Sequence, residues 1–328
     1  MTAQRMKAVR VRAFGGPEQL HCEKVPVPAP RSGQVLVAIH AVGVNPVDTY
    51  ILGGSHAIRP ELPYTPGTDA AGTVAALGEG VSGLAVGERV YLAGALSGTY
   101  AEYALCGRDQ VFVLPANASF AQGAALGVPC ATAWRALFRR GGATAGETVL
   151  VHGATGSVGL AAVQLARAAG LRVLATGGSE RGRAWVGQHG AHAVFDHHAA
   201  DYAEQIKAQG GGIDLIVEML ANVNLDRDLQ LLARCGRVVV VGNRGRIEIN
   251  PRDLMRREAD IRGVQVFAAT DKEQRSAHAG LQAALANGTL VPLIGRRFTL
   301  EDAPEAHIAA VEPGHLGKVV MMTAADDA

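Results

Sequence analysis

The chain has 328 residues, of which 48% are hydrophobic, 19% charged and 5% aromatic, with a formal net charge of +1. That length exceeds one ordinary core and predicts two domains, while the near-zero charge excludes a nucleic-acid face built on bulk electrostatics. No apolar run reaches the roughly 18 residues of a transmembrane helix, and Met1–Arg12 lacks an apolar signal-peptide core, so a cytoplasmic location away from membranes is expected.

In chain order, the first 120 or so residues read as β-rich. Met6–Ala13, Val35–Val42 and Arg89–Leu92 carry β-branched residues between turn signals such as Gly15-Gly16-Pro17 and Gly53-Gly54. No long helical period interrupts them, which is the pattern of a barrel-like domain. Phe120–Arg140 is rich in Ala and Leu, predicts a helix, and ends at Gly141-Gly142.

A regular alternation follows. Thr148–His152, Arg172–Thr176, His192–Phe195, Ile213–Met219, Arg237–Val241 and Ile261–Phe267 read as strands. Val158–Ala169, Arg183–Gln188, Tyr202–Gln209 and Asp226–Ala233 read as helices between them. Strands alternating with helices mean parallel βαβ units and a doubly wound sheet. Helices at Arg275–Ala286 and Ala303–Val311, an extended Val291–Phe298 and a final strand Lys318–Met322 complete the chain. The last strand is expected to return to the first domain. The apolar runs Val238–Val241 and Val264–Phe267 are open to two readings, as internal strands or as part of an edge that pairs with another subunit.

Val149-Leu-Val-His-Gly-Ala-Thr-Gly-Ser-Val-Gly159 sets glycines between a strand and a helix. Gly156 would let backbone approach a pyrophosphate, and Gly159 would let the helix pack on the strand. The helix N-terminus would offer N–H groups and the positive end of its dipole. Set against G-x-G-x-x-G, the first position is Ala154, an imperfect match in the required strand–turn–helix context. An NAD site usually has an acid at the tip of the second strand. Here that tip is Thr176-Gly177-Gly178-Ser179, and Glu180 is followed by Arg181 and Arg183. Small residues with cations suit a 2′-phosphate, so NADP(H) is the expected cofactor. The competing reading makes both arginines solvated charges at a helix start.

Cys22, Cys106, Cys130 and Cys235 form no C-x-x-C pair, so neither a cysteine zinc cluster nor a disulfide framework is indicated. Val42-Gly-Val-Asn45-Pro-Val-Asp-Thr-Tyr50 contains no cysteine, and His21, His40 and His56 lack ligand-like spacing. No metal is expected. Asp48 reads as a surface or capping residue.

These stretches together resemble the medium-chain dehydrogenase/reductase superfamily, and within it the zinc-free, zeta-crystallin-like quinone oxidoreductase branch. The resemblance spans nearly the whole chain. It rests on Gly43–Tyr50, Leu62–Gly67, Gly72-Thr-Val74 with Gly78, Gly87–Val90, Tyr100–Ala104, Gly146–Gln164, Glu218–Asn224, Gly236–Val238, Val241–Arg244 and Ile247–Asp253. It implies a GroES-like β-barrel domain from 1–122 and 268–328, and a Rossmann NADP-binding domain at 123–267. It also implies NADPH in the cleft between them and a homodimer or homotetramer.

Matching positions imply cofactor contacts at Tyr50, Thr132, Thr155, Gly156, Ser157, Val158, Gly178, His197, Asn224, Val241, Gly242, Asn243, Arg244, Val264, Gln265, Val266 and Phe267. Ser179, Arg181 and Arg183 join them from the second-strand tip. His197 would lie near the adenine, and Tyr50 and Asn45 near the nicotinamide and substrate. The zinc-bearing relatives hold a Cys where this chain has Asn45. Two departures stand out: the Ala154-Thr-Gly-Ser157 loop, and His56 where the family has a Tyr.

The expected reaction is hydride transfer from NADPH to a quinone without a metal. Tyr50 could donate a hydrogen bond to the substrate carbonyl as charge builds there, or simply pack in the wall. Asn45 could orient substrate or Tyr50, or stabilise the turn before Pro46. Reduction of an enone or 2-alkenal C=C bond is the alternative within enzymology. A non-enzymatic crystallin-like or RNA-binding role is the alternative outside it.

Overall fold

The computed structural model describes residues 4–323. Its described residues divide into two compact units, 4–128 with 292–323, and 129–291.

The first unit opens with the paired strands β1 (Arg5–Arg10) and β2 (His21–Pro26). Then come β3 (Gln34–Val44), the helix α1 (Pro46–Leu52), β4 (Asp69–Leu77), β5 (Arg89–Ala93), β6 (Tyr103–Gly107), β7 (Val111–Val113) and the single helical turn α2 (Phe120–Gly123). β3 is the staple of this unit. One edge pairs with β4, and the other pairs with β6 along Gln34–Ala38. Two register shifts bend it. Its alternating inward residues, among them Val35, Val37 and Ile39, lie in a core with Val74, Val90 and Leu92.

α1 was not expected from periodicity. It is set by its start, where the Asp48 carboxylate accepts from the N–H of Asn45 at the N-cap and Pro46 occupies the first turn.

The second unit begins in the segment expected to be one helix, Phe120–Arg140. That expectation fails at Pro129, which lacks an N–H for the helical ladder. The chain makes π-type turns over Leu126–Cys130 and Arg135–Arg140 around a short α3 (Ala131–Trp134). The alternation then proceeds as β8 (Thr148–Val151), α4 (Ser157–Ala168), β9 (Arg172–Gly177), α5 (Glu180–Gln188), β10 (Ala193–Asp196), α6 (Tyr202–Lys207), β11 (Ile213–Glu218), α7 (Ala221–Leu231), β12 (Leu232–Val240), α8 (Pro251–Arg257) and β13 (Asp260–Gly263).

The sheet order is β10-β9-β8-β11-β12-β13, all parallel. The order reverses between β8 and β11, the switch point of a doubly wound sheet. β8 is a short apolar run with Val149, Leu150 and Val151 all buried, as a central parallel strand requires. Val238–Val240 is internal, and β13 is an edge. The expected strand Ile261–Phe267 stops at Gly263, and Val266–Ala268 forms a 3₁₀ turn.

α9 (Asp271–Ala286) packs with the second unit, so the contact division falls after Val291 where sequence reading drew it after Phe267. The reason is local: Arg135 donates to Glu273 at 2.8 Å, and Val291 N–H donates to Gln164 Oε1 at 2.9 Å. The chain then returns to the first unit through β14 (Ile294–Thr299), α10 (Ala303–Val311) and β15 (Lys318–Met322). β15 pairs antiparallel with Ala41–Val44 of β3, as expected.

Candidate functional site

In the second unit the site grows from β8. After His152 the chain turns at Gly153, whose φ of +55° lies where glycine is favoured. The turn glycine is therefore Gly153 rather than the Ala154 position of the sequence alignment. A Cβ on Gly159 would lie 2.6 Å from the Ala154 Cα and from the Gly153 carbonyl oxygen, so only glycine lets α4 start this close to the loop. A Cβ on Gly156 would meet nothing nearer than 3.7 Å, leaving an open cradle at the helix N-terminus. Thr155, Gly156, Ser157 and Val158 are half-buried around it. These features fit a pyrophosphate held by N–H groups and a helix dipole.

The tip of β9 lies beside this loop. Ala154 N–H donates to the Thr176 carbonyl at 3.0 Å. Next, Gly178 is covered by two imidazoles: a Cβ there would lie 2.8 Å from both His197 Nε2 and His198 Nε2. Arg183 reaches back to the Gly177 carbonyl (3.2 Å) and pairs with Asp196 at 2.9 Å. Arg181 is exposed on the first turn of α5, and Ser179 caps that helix by accepting from Gly182 N–H. Burial, with the His198 charge beside it, lowers the pKa of His197. The four side chains Arg181, Arg183, His197 and His198 thus belong to one strand tip and its neighbour. The Asp196 carboxylate pairs with the Arg183 guanidinium.

At the tip of β11, Val241 N–H and Gly242 N–H both donate to the Glu218 carbonyl, at 2.8 and 3.2 Å. Asn224 does not point its amide away: Nδ2 donates to both Glu218 oxygens at 3.1 and 3.3 Å. Asn243 and Arg244 are exposed in the following loop, where Arg244 N–H donates to Asn222 Oδ1. Thr132 is buried in α3, Val264 and Val266 are half-buried, and Gln265 and Phe267 are exposed after β13.

Beneath these segments lies a buried group that sequence reading missed. His152 Nε2 is 2.9 Å from Asp228 Oδ1 and 3.6 Å from Glu218 Oε2, and His152 Nδ1 is 3.1 Å from Thr176 Oγ1. His152 is 2% exposed, and Glu218 and Asp228 are 0% exposed. Burial raises the Glu218 carboxyl to about 7, against the pull of His152. Burial also opposes charge on His152, but Asp228 and Glu218 outweigh it and raise the imidazole's pKa. The signal was present: each of His152 and Glu218 is a polar residue closing an apolar strand run.

In the first unit, Asn45 is 2% exposed and both ends of its amide are engaged. Nδ2 donates to Asp69 Oδ2 at 2.9 Å, and Oδ1 accepts from Lys318 Nζ. Lys318 also lies 3.4 Å from Asp69 Oδ2, while Val128 N–H donates to Asp69 Oδ1 at 2.9 Å. Asp48 is buried rather than on the surface. It accepts from Asn45 N–H at 2.8 Å and from Tyr100 Oη–H at 3.0 Å. His307 Nε2 is 3.1 Å from the same hydroxyl.

Burial lifts the Asp48 carboxyl to about 7, with the Asp69 charge adding and the Asn45 N–H opposing. Burial likewise raises Asp69 against Lys318, holds Tyr100 well above its usual value and lowers His307 to about 4. In this set an amide, a carboxylate and an ammonium satisfy one another. Tyr50, on the same helix as Asp48, is 38% exposed, and His56 accepts from Ile58 N–H in the loop after α1.

Two family models match the chain: the alcohol dehydrogenase GroES-like domain over residues 31–116, and the zinc-binding dehydrogenase family over residues 157–281. The chain is 51% identical over 321 residues to the quinone oxidoreductase of Rattus norvegicus, covering 97% of this chain and 98% of the relative. Among solved structures, an NAD-dependent alcohol dehydrogenase superposes with a TM-score of 0.91 at 28% identity, covering 97% of this chain and 100% of the other. A mycobacterial protein solved in complex with NADPH superposes with a TM-score of 0.87 at 28% identity and the same coverage.

Proposed function

The chain belongs to the quinone oxidoreductase family of the medium-chain dehydrogenase/reductase superfamily, and from that premise we propose that it is an NADPH-dependent quinone reductase that transfers a hydride without a metal. It is an oxidoreductase. The observation that carries the finer reading is the tip of β9, with Arg183 against Gly177, the His197 and His198 imidazoles over Gly178, and no acid at the strand's end.

A bound reduced nicotinamide supplies the hydride. The residues of this chain do the rest. The Gly153–Gly159 turn and the N-terminus of α4 hold the pyrophosphate. Arg181, Arg183 and His197 hold the 2′-phosphate, which the ribose-binding acid of NAD sites would repel. Tyr50 donates a hydrogen bond to the substrate carbonyl, where charge builds as the hydride arrives. Asn45 stands at the N-cap of the helix that carries Tyr50, and its amide, held by Asp69 and Lys318, fixes where that helix starts. The quinone gains a hydride and then a proton from water, leaving a hydroquinone.

The test is NADPH and NADH oxidation over a panel of 1,2- and 1,4-quinones, enones and alkenals, with and without chelator. Quinone turnover with NADPH, unaffected by chelation and much weaker with NADH, is the expected result. Turnover confined to enones would replace the substrate assignment. Loss on chelation would remove the metal-free mechanism, and equal rates with both cofactors would remove the NADPH preference.

A further inference from the structure

The buried group under the second unit's strand tips does no work in the mechanism above, yet it joins the Gly153 turn and the β9 tip, both of which the mechanism uses to hold the dinucleotide. His152 ends β8 and leads directly into Gly153. Its Nδ1 meets Thr176 at the end of β9, and its Nε2 meets Asp228 of α7 and approaches Glu218 at the end of β11. Thr176 Oγ1 in turn accepts from Gly153 N–H at 3.3 Å. Glu218 accepts from Leu220 N–H and from both-oxygen contacts with Asn224 Nδ2. Three parallel strand ends, at the switch point where doubly wound sheets bind ligands, are therefore joined through one imidazole.

The hydrogen-bond directions are constrained. Asp228 is 0% exposed, and its Oδ1 faces His152 Nε2 at 2.9 Å. Nε2 must therefore carry a proton toward Oδ1. Thr176 Oγ1 accepts from Gly153 N–H and lies 3.1 Å from His152 Nδ1, donating to it when the imidazole is neutral and accepting from it when the imidazole is protonated. Either way Gly153, Thr176, His152 and Asp228 form one chain, with Glu218 alongside. Removing the imidazole would orphan the carboxylate and release the Thr176 hydroxyl that holds the first N–H of the glycine turn. Buried polar groups of this kind are costly unless every member is satisfied.

We infer that His152, with Asp228 and Glu218, is a positioning residue for the dinucleotide: it locks the Gly153 turn, the β9 tip and Asn224 into one binding-competent arrangement. The inference rests on the nicotinamide reading of the preceding subsection. It places His152 away from the reacting atoms, so its loss shows in cofactor affinity rather than in the hydride step. The charged and titratable groups around the imidazole are Glu218 of β11, Asp228 and Arg227 of α7, and His197 after β10.

The experiment uses the full chain with NADPH as probe. Direct binding by calorimetry is combined with steady-state kinetics for the parent, His152→Leu, His152→Gln and Asp228→Asn. For His152→Leu, Kd and KM for NADPH should rise about tenfold or more, the worth of one charge-assisted hydrogen bond. The loss should fall on Kd and KM more than on kcat. His152→Gln, which can donate and accept at similar reach, should recover most of the affinity. If His152→Leu does not fold, Asp228→Asn, which keeps the volume, carries the same expectation. Unchanged Kd in the folded variants, or a fall in kcat with Kd preserved, overturns the inference while leaving the cofactor reading intact. A parent protein that binds no NADPH removes both.

Discussion

The Asn45 amide donates to the Asp69 carboxylate at 2.9 Å inside the first unit, and Lys318 reaches both residues from the far end of the chain. The three form a closed set in which an internal ammonium balances a buried carboxylate. Breaking a buried pair from one side costs about 3–5 kcal/mol, because it strands the remaining charge. Lys318→Met should destabilise the protein by that order in urea unfolding. Adding Asp69→Asn in the same chain should recover a large part of the loss. A single variant as stable as the parent would show that the ion pair does not hold β15 against β3.

Asp48 gives a pH dependence with a definite sign. Its folded-state carboxyl titrates at about 7, above the ordinary carboxylate value, so the folded state binds its proton more tightly than the unfolded chain does. That contribution is fully present below about pH 4 and is lost as pH rises through about 7, with a slope of at most about 1.4 kcal/mol per pH unit. Glu218 contributes in the same direction over the same window. Asp48→Asn should flatten the fall in thermal midpoint between pH 4 and 7 relative to the parent. Parallel curves for parent and variant would refute the assignment.

Two glycines of one turn should respond differently to the same change. At Gly159 a Cβ would lie 2.6 Å from backbone atoms of Gly153 and Ala154, so Gly159→Ala should cost about 1–3 kcal/mol of stability as well as cofactor affinity. At Gly156 the nearest atom is 3.7 Å away, so Gly156→Ala should fold as stably as the parent and lose NADPH affinity alone. Thermal unfolding beside NADPH calorimetry separates the two. Equal destabilisation of both variants would contradict the close-packing account.

Arg183 should discriminate between cofactors. It is held over Gly177 by Asp196, within reach of the β9 tip. Arg183→Ser should lower kcat/KM for NADPH about tenfold, the worth of one charge-assisted hydrogen bond to phosphate, and leave NADH nearly unaffected. Comparable losses with both cofactors would mean that Arg183 supports the fold of α5 rather than binding a 2′-phosphate.

Periodicity and turn chemistry, read along the chain, determined the doubly wound unit almost strand by strand. A parallel strand buried on both faces leaves a local apolar run, and a helix on its face leaves a local 3.6-residue pattern. The Gly153–Gly159 turn and the acid-free β9 tip were legible for the same reason, since each is a short contiguous stretch. Helix α1 left no such trace because its signal is a single side chain, Asp48, accepting from the N-cap N–H, with Pro46 in the first turn. The long helix expected over Phe120–Arg140 broke at Pro129, whose missing N–H outweighs a favourable composition.

What only tertiary structure decided is which distant polar residues share a buried space. Asn45, Asp69 and Lys318 lie on three strands or their ends, as do His152, Thr176 and Glu218 in the other unit. Nothing local marks such residues as partners. Their pairing follows from strand order and register, and the cost of leaving a buried charge unanswered makes those pairings obligatory once the sheets have formed.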